Sequence, residues 1–208
     1  MDMQAQQGSG VVEWAVRGRP IPGETESGDL HVVVDYGDGV LLGVIDGLGH
    51  GREAAVAARV AAQAITREPA RPLLDIVKAC HEELRGTRGA VLSLASIDAS
   101  HAQLCWTGVG NVEAVLTRGD PAHEPHREHV LLRSGVVGYQ LPPLRAASLP
   151  IHRDDVLLLA SDGIRQGFSQ EPPTRLPCAD YADYLLRAYG KQTDDSMVMV
   201  ARYHGSTV

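Results

Sequence analysis

Short apolar, β-rich runs broken by glycine and proline dominate this chain. Residues 11–17 form the first strand candidate. Residues 18–28, with Pro20, Pro22 and Gly23, read as turns. Two β-rich runs follow, at 30–36 and 40–46, and Gly37-Asp38-Gly39 between them is a hairpin signal. Residues 52–67 predict an alanine-rich helix that stops before Pro69, and residues 72–85 a second one, with Pro72 suited to its first turn. Neither carries a broad leucine face, so their alanines allow close packing on a sheet or on each other. Further strands are predicted at 90–97, 102–107, 112–118, 130–133, 155–160 and 197–203, with one helix at 179–189. Residues 119–129 and 169–178 read as surface loops. Many strands with three helices predict an α+β fold of packed sheets with helices outside. Nothing marks a linker, so residues 1–208 are expected to form a single domain.

Composition narrows the partners. The 208 residues are 44% hydrophobic and 22% charged, ordinary for a soluble globular chain. The 22 glycines and only 4% aromatics predict many turns and a core of small aliphatics. With 26 acidic side chains against 19 basic ones the net charge is −7, which argues against nucleic-acid binding, a task that needs a basic face. No apolar run approaches the ~20 residues needed to span a bilayer. Residues 1–10 are polar and do not read as a secretory signal. Cys80, Cys105 and Cys178 form no CxxC pair, so a reduced, cytoplasmic protein with no disulfide framework is expected.

The candidate chemistry lies in aspartates beside glycines at strand ends. Asp29 follows Ser27-Gly28, Asp46 opens Asp46-Gly47-Leu48-Gly49-His50-Gly51, Asp162 stands in Ser161-Asp162-Gly163, and Asp194-Asp195 precede the last strand. Paired residues of an antiparallel hairpin have a constant index sum, and the midpoint of 29 and 46 falls between Gly37 and Asp38. Asp29 and Asp46 are therefore expected to face each other at the hairpin's open end. Two such carboxylates repel unless a cation lies between them. If Asp162 and Asp194 converge on the same edge, divalent cations would neutralise the cluster, and all-oxygen ligation suits Mg²⁺ or Mn²⁺ rather than zinc. Each Asp-Gly pair taken alone is a common turn signal.

Read in order, these segments resemble the metal-dependent protein phosphatases of the PP2C class, and more closely their bacterial sporulation and stress-response branch. The matching pieces are Ser27-Gly28-Asp29, Ile45-Asp46-Gly47-Leu48-Gly49-His50-Gly51, Arg88-Gly89-Ala90, Val109-Gly110-Asn111-Val112, Arg133-Ser134-Gly135 with Gly138, Ser161-Asp162-Gly163-Ile164 and Thr193-Asp194-Asp195-Ser196. The short length resembles a stand-alone phosphatase without sensor or membrane region. The resemblance implies a four-layer α/β/β/α sandwich of two antiparallel sheets with two Mn²⁺ or Mg²⁺ ions at one end. It implies Asp46 as bridging ligand joined by the Gly47 carbonyl, and Asp162 and Asp194 as ligands of the other metal. Asp29 would bind directly or through water. Asp195, Gly110 and Asn111 would support the ligands or the substrate. Such a site hydrolyses phosphoserine or phosphothreonine with metal-activated water. The implied partners are phosphorylated regulatory proteins, either stressosome scaffold or anti-sigma pathway components.

Two features depart from the pattern. Eukaryotic members carry a histidine where this chain has Leu48; His50, two residues on, is the candidate general acid. The phosphate-binding arginine has no secure equivalent, although Arg17 and Arg19 lie upstream. His123, His126 and His129 recur every third residue and could bind zinc, but Pro121 and Pro125 favour a solvated loop. Gly108-Val109-Gly110-Asn111 lacks a P-loop lysine and reads as a turn. Ser161 is not in a Gly-x-Ser-x-Gly motif, so a serine hydrolase is poorly supported. Cys80 and Cys105 read as core residues. Two rival functions are a non-catalytic regulatory module docking partners through the alanine-rich helices, and a phosphatase for small phosphorylated molecules.

Overall fold

The computed structural model describes residues 3–8, 10–171 and 175–205. Twelve strands and three helices follow one another as β1 (Met3–Gly8), β2 (Val12–Arg19), β3 (Asp29–Tyr36), β4 (Gly39–Gly47), α1 (Gly51–Thr66), α2 (Leu73–Leu84), β5 (Ala90–Asp98), β6 (Gln103–Val109), β7 (Glu113–Thr117), β8 (Arg127–His129), β9 (Leu132–Arg133), β10 (Ala147–Pro150), β11 (Val156–Ala160), α3 (Cys178–Tyr189) and β12 (Ser196–Tyr203). One sheet runs β1-β2-β12-β11-β7-β8, the other β10-β6-β5-β4-β3. Among the described residues the pairings are antiparallel, as expected, with one short parallel match of β9 to β6 off the main path of the second sheet.

Alternation assigns each side chain to a layer. On β4, Val40, Leu42 and Val44 point between the sheets, where they meet Trp14, Val16, Leu157, Leu159, Met197 and Met199. Leu41 and Ile45, the other set, meet Ala57, Ala58, Ala61 and Ile65 of α1 and Ile76, Val77 and Cys80 of α2. Both faces of β4 are covered, which is why it reads as a continuous apolar run. On the other sheet Ala15, Leu158, Val198 and Val200 meet Tyr181, Ala182 and Leu185 of α3. The result is the four-layer α/β/β/α sandwich that the family resemblance implies. Alanine on α1 brings its backbone close to β4: a Cβ on Gly47 would stand 2.2 Å from the Ala54 carbonyl oxygen.

Three strands escape the sequence reading, and a predicted one is shorter than expected. β1 is polar, yet it pairs with β2 along its whole length. Arg127–His129, inside the expected loop, pairs with β7. The run at 130–133 contributes only the two-residue β9, and β10 is a short edge strand on β6. Of the loop expected at 169–178, residues 172–174 lie outside the described residues, while Phe168–Gln170 form a single 3-10 turn. Cys80 and Cys178 are buried and Cys105 is half-buried; all three are free. Burial pushes the Cys80 and Cys178 thiols up to about 12, so both stay protonated. Among the described residues no helix is long and apolar enough to cross a membrane.

Candidate metal centre

The expected hairpin register is the observed one. Asp29 is the cross-strand partner of Asp46, and the Tyr36–Gly39 pair closes the two-residue turn. These two acids belong to the β10–β3 sheet. Asp162 lies just past β11, and Asp194 just before β12, in the other sheet. The β11–β12 register carries Ser161 opposite Met197, with the Ser161 amide donating to the Met197 carbonyl at 3.0 Å. The ends of both sheets therefore meet at one rim. Asp46, Asp162 and Asp194 line one open cleft of about 660 Å³, together with Leu48, His50 and Asn111.

The electrostatics report the same convergence. Burial, then Asp162, Asp194 and Asp195, push the Asp46 carboxyl up to about 8. Asp29 is 1% exposed, and burial followed by Asp46 raises it well above the usual carboxylate range. Asp194 is raised by burial and then by Asp162. Asp29 Oδ2 accepts a 2.6 Å hydrogen bond from Ser161 Oγ, but its Oδ1 is buried with no hydrogen-bond partner. An orphaned buried carboxylate oxygen costs free energy unless a proton or cation meets it. Among the described residues, no three Asp, Glu, His or Cys side chains form a ready-made single-ion cage; the acids surround an open basin.

The remaining predicted residues take distinct places. Asp195 is buried, and its carboxylate accepts from the amides of Ile21 at 2.7 Å and Gly28 at 2.6 Å, which fastens the turn-rich segment beneath Asp29. Gly28 in turn accepts from the Gly47 amide at 3.0 Å. Asn111 Nδ2 donates to Asp162 Oδ2 at 2.7 Å and fixes that carboxylate's orientation. Gly110 has φ +94°, and a Cβ there would stand 2.2 Å from Val91. His50 is an exposed residue at the N-terminus of α1, its Nδ1 3.0 Å from Glu24 Oε1.

Several readings need correction or extension. Arg17 is no phosphate clamp, since its guanidinium is paired with Asp183 of α3 at 2.8 Å. Arg19 donates to the carbonyls of Gly190 and Lys191. The three loop histidines do not gather: His123 stacks on His152 with ring centroids 4.0 Å apart, and His126 Nδ1 faces the His123 carbonyl. Ser161, set aside as a nucleophile, is the partner of Asp29. Lys191, which donates from Nζ to the Asp162 carbonyl, carried no sequence signal. Glu24 was equally silent in the sequence.

Comparison with known proteins agrees with this architecture. The Stage II sporulation protein E (SpoIIE) family matches residues 36–204. A chain from a structure of the bacterial stressosome, described as a modular system adapted to control secondary messenger signaling, is 32% identical over 92% of this chain and 99% of its own, with a TM-score of 0.84. RsbX in complex with magnesium is 18% identical, covering 97% of this chain and 100% of its own at a TM-score of 0.85. The PP2C phosphatase domain of SpoIIE from Bacillus subtilis, solved with a fragment of its regulatory domain, is 18% identical, covering 100% of this chain and 70% of its own at 0.75. No curated protein matches the chain. An aspartate-lined rim between two sheets, a SpoIIE-family match over most of the sequence and a 32% identical relative lead to one conclusion: the chain belongs to the SpoIIE family of PP2C-type phosphatases, in their sporulation and stress-response branch.

Proposed function

We propose that this protein is a Mn²⁺- or Mg²⁺-dependent phosphatase that removes phosphate from phosphoserine or phosphothreonine of regulatory proteins in the cytoplasm. The observation that carries the reading is the convergence of Asp46, Asp162 and Asp194 on one cleft, with Asp29 buried behind them and one of its oxygens unpartnered. These are hard oxygen donors, and they fit Mg²⁺ or Mn²⁺. Asp29, Asp46, the Gly47 carbonyl, Asp162 and Asp194 would hold the ions. Bound divalent ions lower the pKa of water and neutralise phosphoryl oxygens.

The chain's own groups have separable tasks. Asn111 orients Asp162, and Asp195 holds the 21–28 turn against Gly28, so the acids are set in place before any ligand arrives. Glu24 engages His50 at Nδ1, which leaves Nε2 free to give a proton to the leaving serine oxygen. The substrates we assign are phosphorylated stressosome scaffold or anti-sigma pathway proteins. The likeness to a stressosome chain and to RsbX supports that assignment.

The direct experiment is dephosphorylation of a phosphoserine protein with Mn²⁺ present and with chelator. Wild type should turn over only with the metal, and Asp46→Ala and Asp162→Ala should lose at least about a hundredfold in kcat/KM. Full activity in both variants would overturn the assignment of those acids. Partner binding without turnover at saturating Mn²⁺ would instead make the chain a regulatory module.

A further inference from the structure

A second cleft, of about 530 Å³, adjoins the first and shares with it Asn111 and Asp162. Its walls present Arg165, Gln166 and Lys191, with Glu113 as the opposing acid. Two cations line this cleft in a chain of net charge −7, and they stand beside Asp162 of the first cleft.

Both cations are built in by backbone pairing. The segment just after Asp162 is zipped antiparallel to the segment just before Asp194: Ile164 bridges Gly190, the Arg165 amide donates to the Tyr189 carbonyl, and the Lys191 amide donates to the Gly163 carbonyl, both at 2.8 Å. The side chains are then steadied without being neutralised. Lys191 Nζ donates to the Asp162 carbonyl, and one Arg165 terminal nitrogen donates to the Ala188 carbonyl at 2.6 Å. Each bond uses one donor of a group that has three or five. Among the described residues neither cation lies within ion-pair distance of a carboxylate, Glu113 included, although Lys191 acts on Asp194 at longer range and pulls its carboxyl down. Donors held in place and still unsatisfied are what a ligand anion requires.

We infer that this second cleft is a substrate subsite, in which Arg165 and Lys191 receive an acidic side chain flanking the phosphorylated residue. The inference rests on the phosphatase reading above. With the phosphoryl group at Asp46 and Asp162, the peptide on one side crosses the Asn111–Asp162 hydrogen bond into the second cleft. An Asp or Glu there meets two cations, and Glu113 opposes it from the facing wall. The preferred substrate class is therefore an acidic phosphopeptide segment.

The test compares kcat/KM, with Mn²⁺, for two phosphoserine peptides that differ only in carrying glutamate or glutamine around the phosphoserine. Wild type should favour the acidic peptide about two- to fivefold, the range of a solvated ion pair. Arg165→Gln should bring the ratio to about one, and Arg165→Glu should invert it. Glu113→Gln, on the opposite wall, should raise the ratio, and it decides the matter if an Arg165 variant does not fold. A wild-type ratio of one, or a preference unchanged in the Arg165 and Glu113 variants, overturns the subsite. Turnover of neither peptide by wild type refutes the phosphatase reading instead.

Discussion

Ser161 reaches across 132 positions of sequence to donate a 2.6 Å hydrogen bond to Asp29 Oδ2, while its oxygen accepts the Met197 amide at 2.9 Å. One hydroxyl thus links the hairpin of one sheet to the last two strands of the other. Ser161→Ala removes the donor to a buried carboxylate and leaves a buried amide without its acceptor. Stability should fall by about 1–3 kcal/mol, the cost of unsatisfied buried polar groups. Urea unfolding with chelator present measures it. Mn²⁺ affinity, read by calorimetry, should fall as well, because Asp29 loses the bond that orients it. An unchanged urea midpoint would show that Ser161 does not couple the sheets.

Metal-free stability should depend on pH in the direction opposite to that of most surface carboxylates. Asp46 has an ordinary value of 3.8 in the unfolded chain and is pushed up to about 8 in the fold. Asp29 and Asp194 shift the same way. The folded state therefore holds more protons between these limits. The stabilisation is fully present below the unfolded value and is lost as pH rises through the folded one. In EDTA the melting temperature should fall from about pH 5 to about pH 8. Saturating Mn²⁺ should remove or reverse that slope, because it binds the deprotonated acids. Asp46→Asn should flatten the slope without metal and raise the melting temperature near pH 8 by a few degrees, equivalent to about 1–2 kcal/mol. A melting temperature that rises with pH in EDTA would contradict the electrostatic account.

Glycine at position 163 is a steric requirement. A Cβ there would stand 1.7 Å from the Asp195 carbonyl oxygen, because the 161–163 turn lies directly on the start of β12. Gly163→Ala must push Asp162 and Asp194 apart or unfold that edge. A loss of more than about 3 kcal/mol, or insoluble expression, is expected. Gly23→Ala is the control: Gly23 has positive φ, but a Cβ there would meet no heavy atom within 4 Å, so only the smaller backbone strain should appear. Comparable melting temperatures for the two variants would remove the steric explanation.

Local chemistry made much of the site legible. The pairing of Asp29 with Asp46 follows from index arithmetic around Gly37-Asp38, whereas the unbroken apolar run of β4 does not tell which set of its side chains meets which layer: Leu41 and Ile45 face helices while Val40, Leu42 and Val44 face the other sheet. Long-range partners carry no such local mark. The polar β1 is held by ladder bonds to β2, and its sequence lacks the apolar alternation that identifies strands. Arg17 has its partner Asp183 166 positions away, so nothing near it in the sequence shows that its guanidinium is already engaged. Sequence separation also hid Ser161, 132 positions from Asp29: its role depends on which strand lies beside it, which β11 alone does not tell.

His50 tests whether the proton donor has moved two positions along the turn. Leu48 occupies the place of the histidine of eukaryotic members and packs partly against the inter-sheet core, whereas His50 lines the cleft with Nδ1 on Glu24. If His50 Nε2 protonates the serine oxygen, the defect must scale with the leaving group's need for a proton. On a phosphoserine protein, His50→Gln should lower kcat by about a hundredfold, the lower range for a general acid. On p-nitrophenyl phosphate, whose phenolate departs unaided, the drop should be only a few fold. Glu24→Gln should show the same pattern in weaker form, since it loosens the ring without removing it. Equal losses on both substrates would make His50 a structural residue of the α1 start, and no loss on either would assign the proton to solvent.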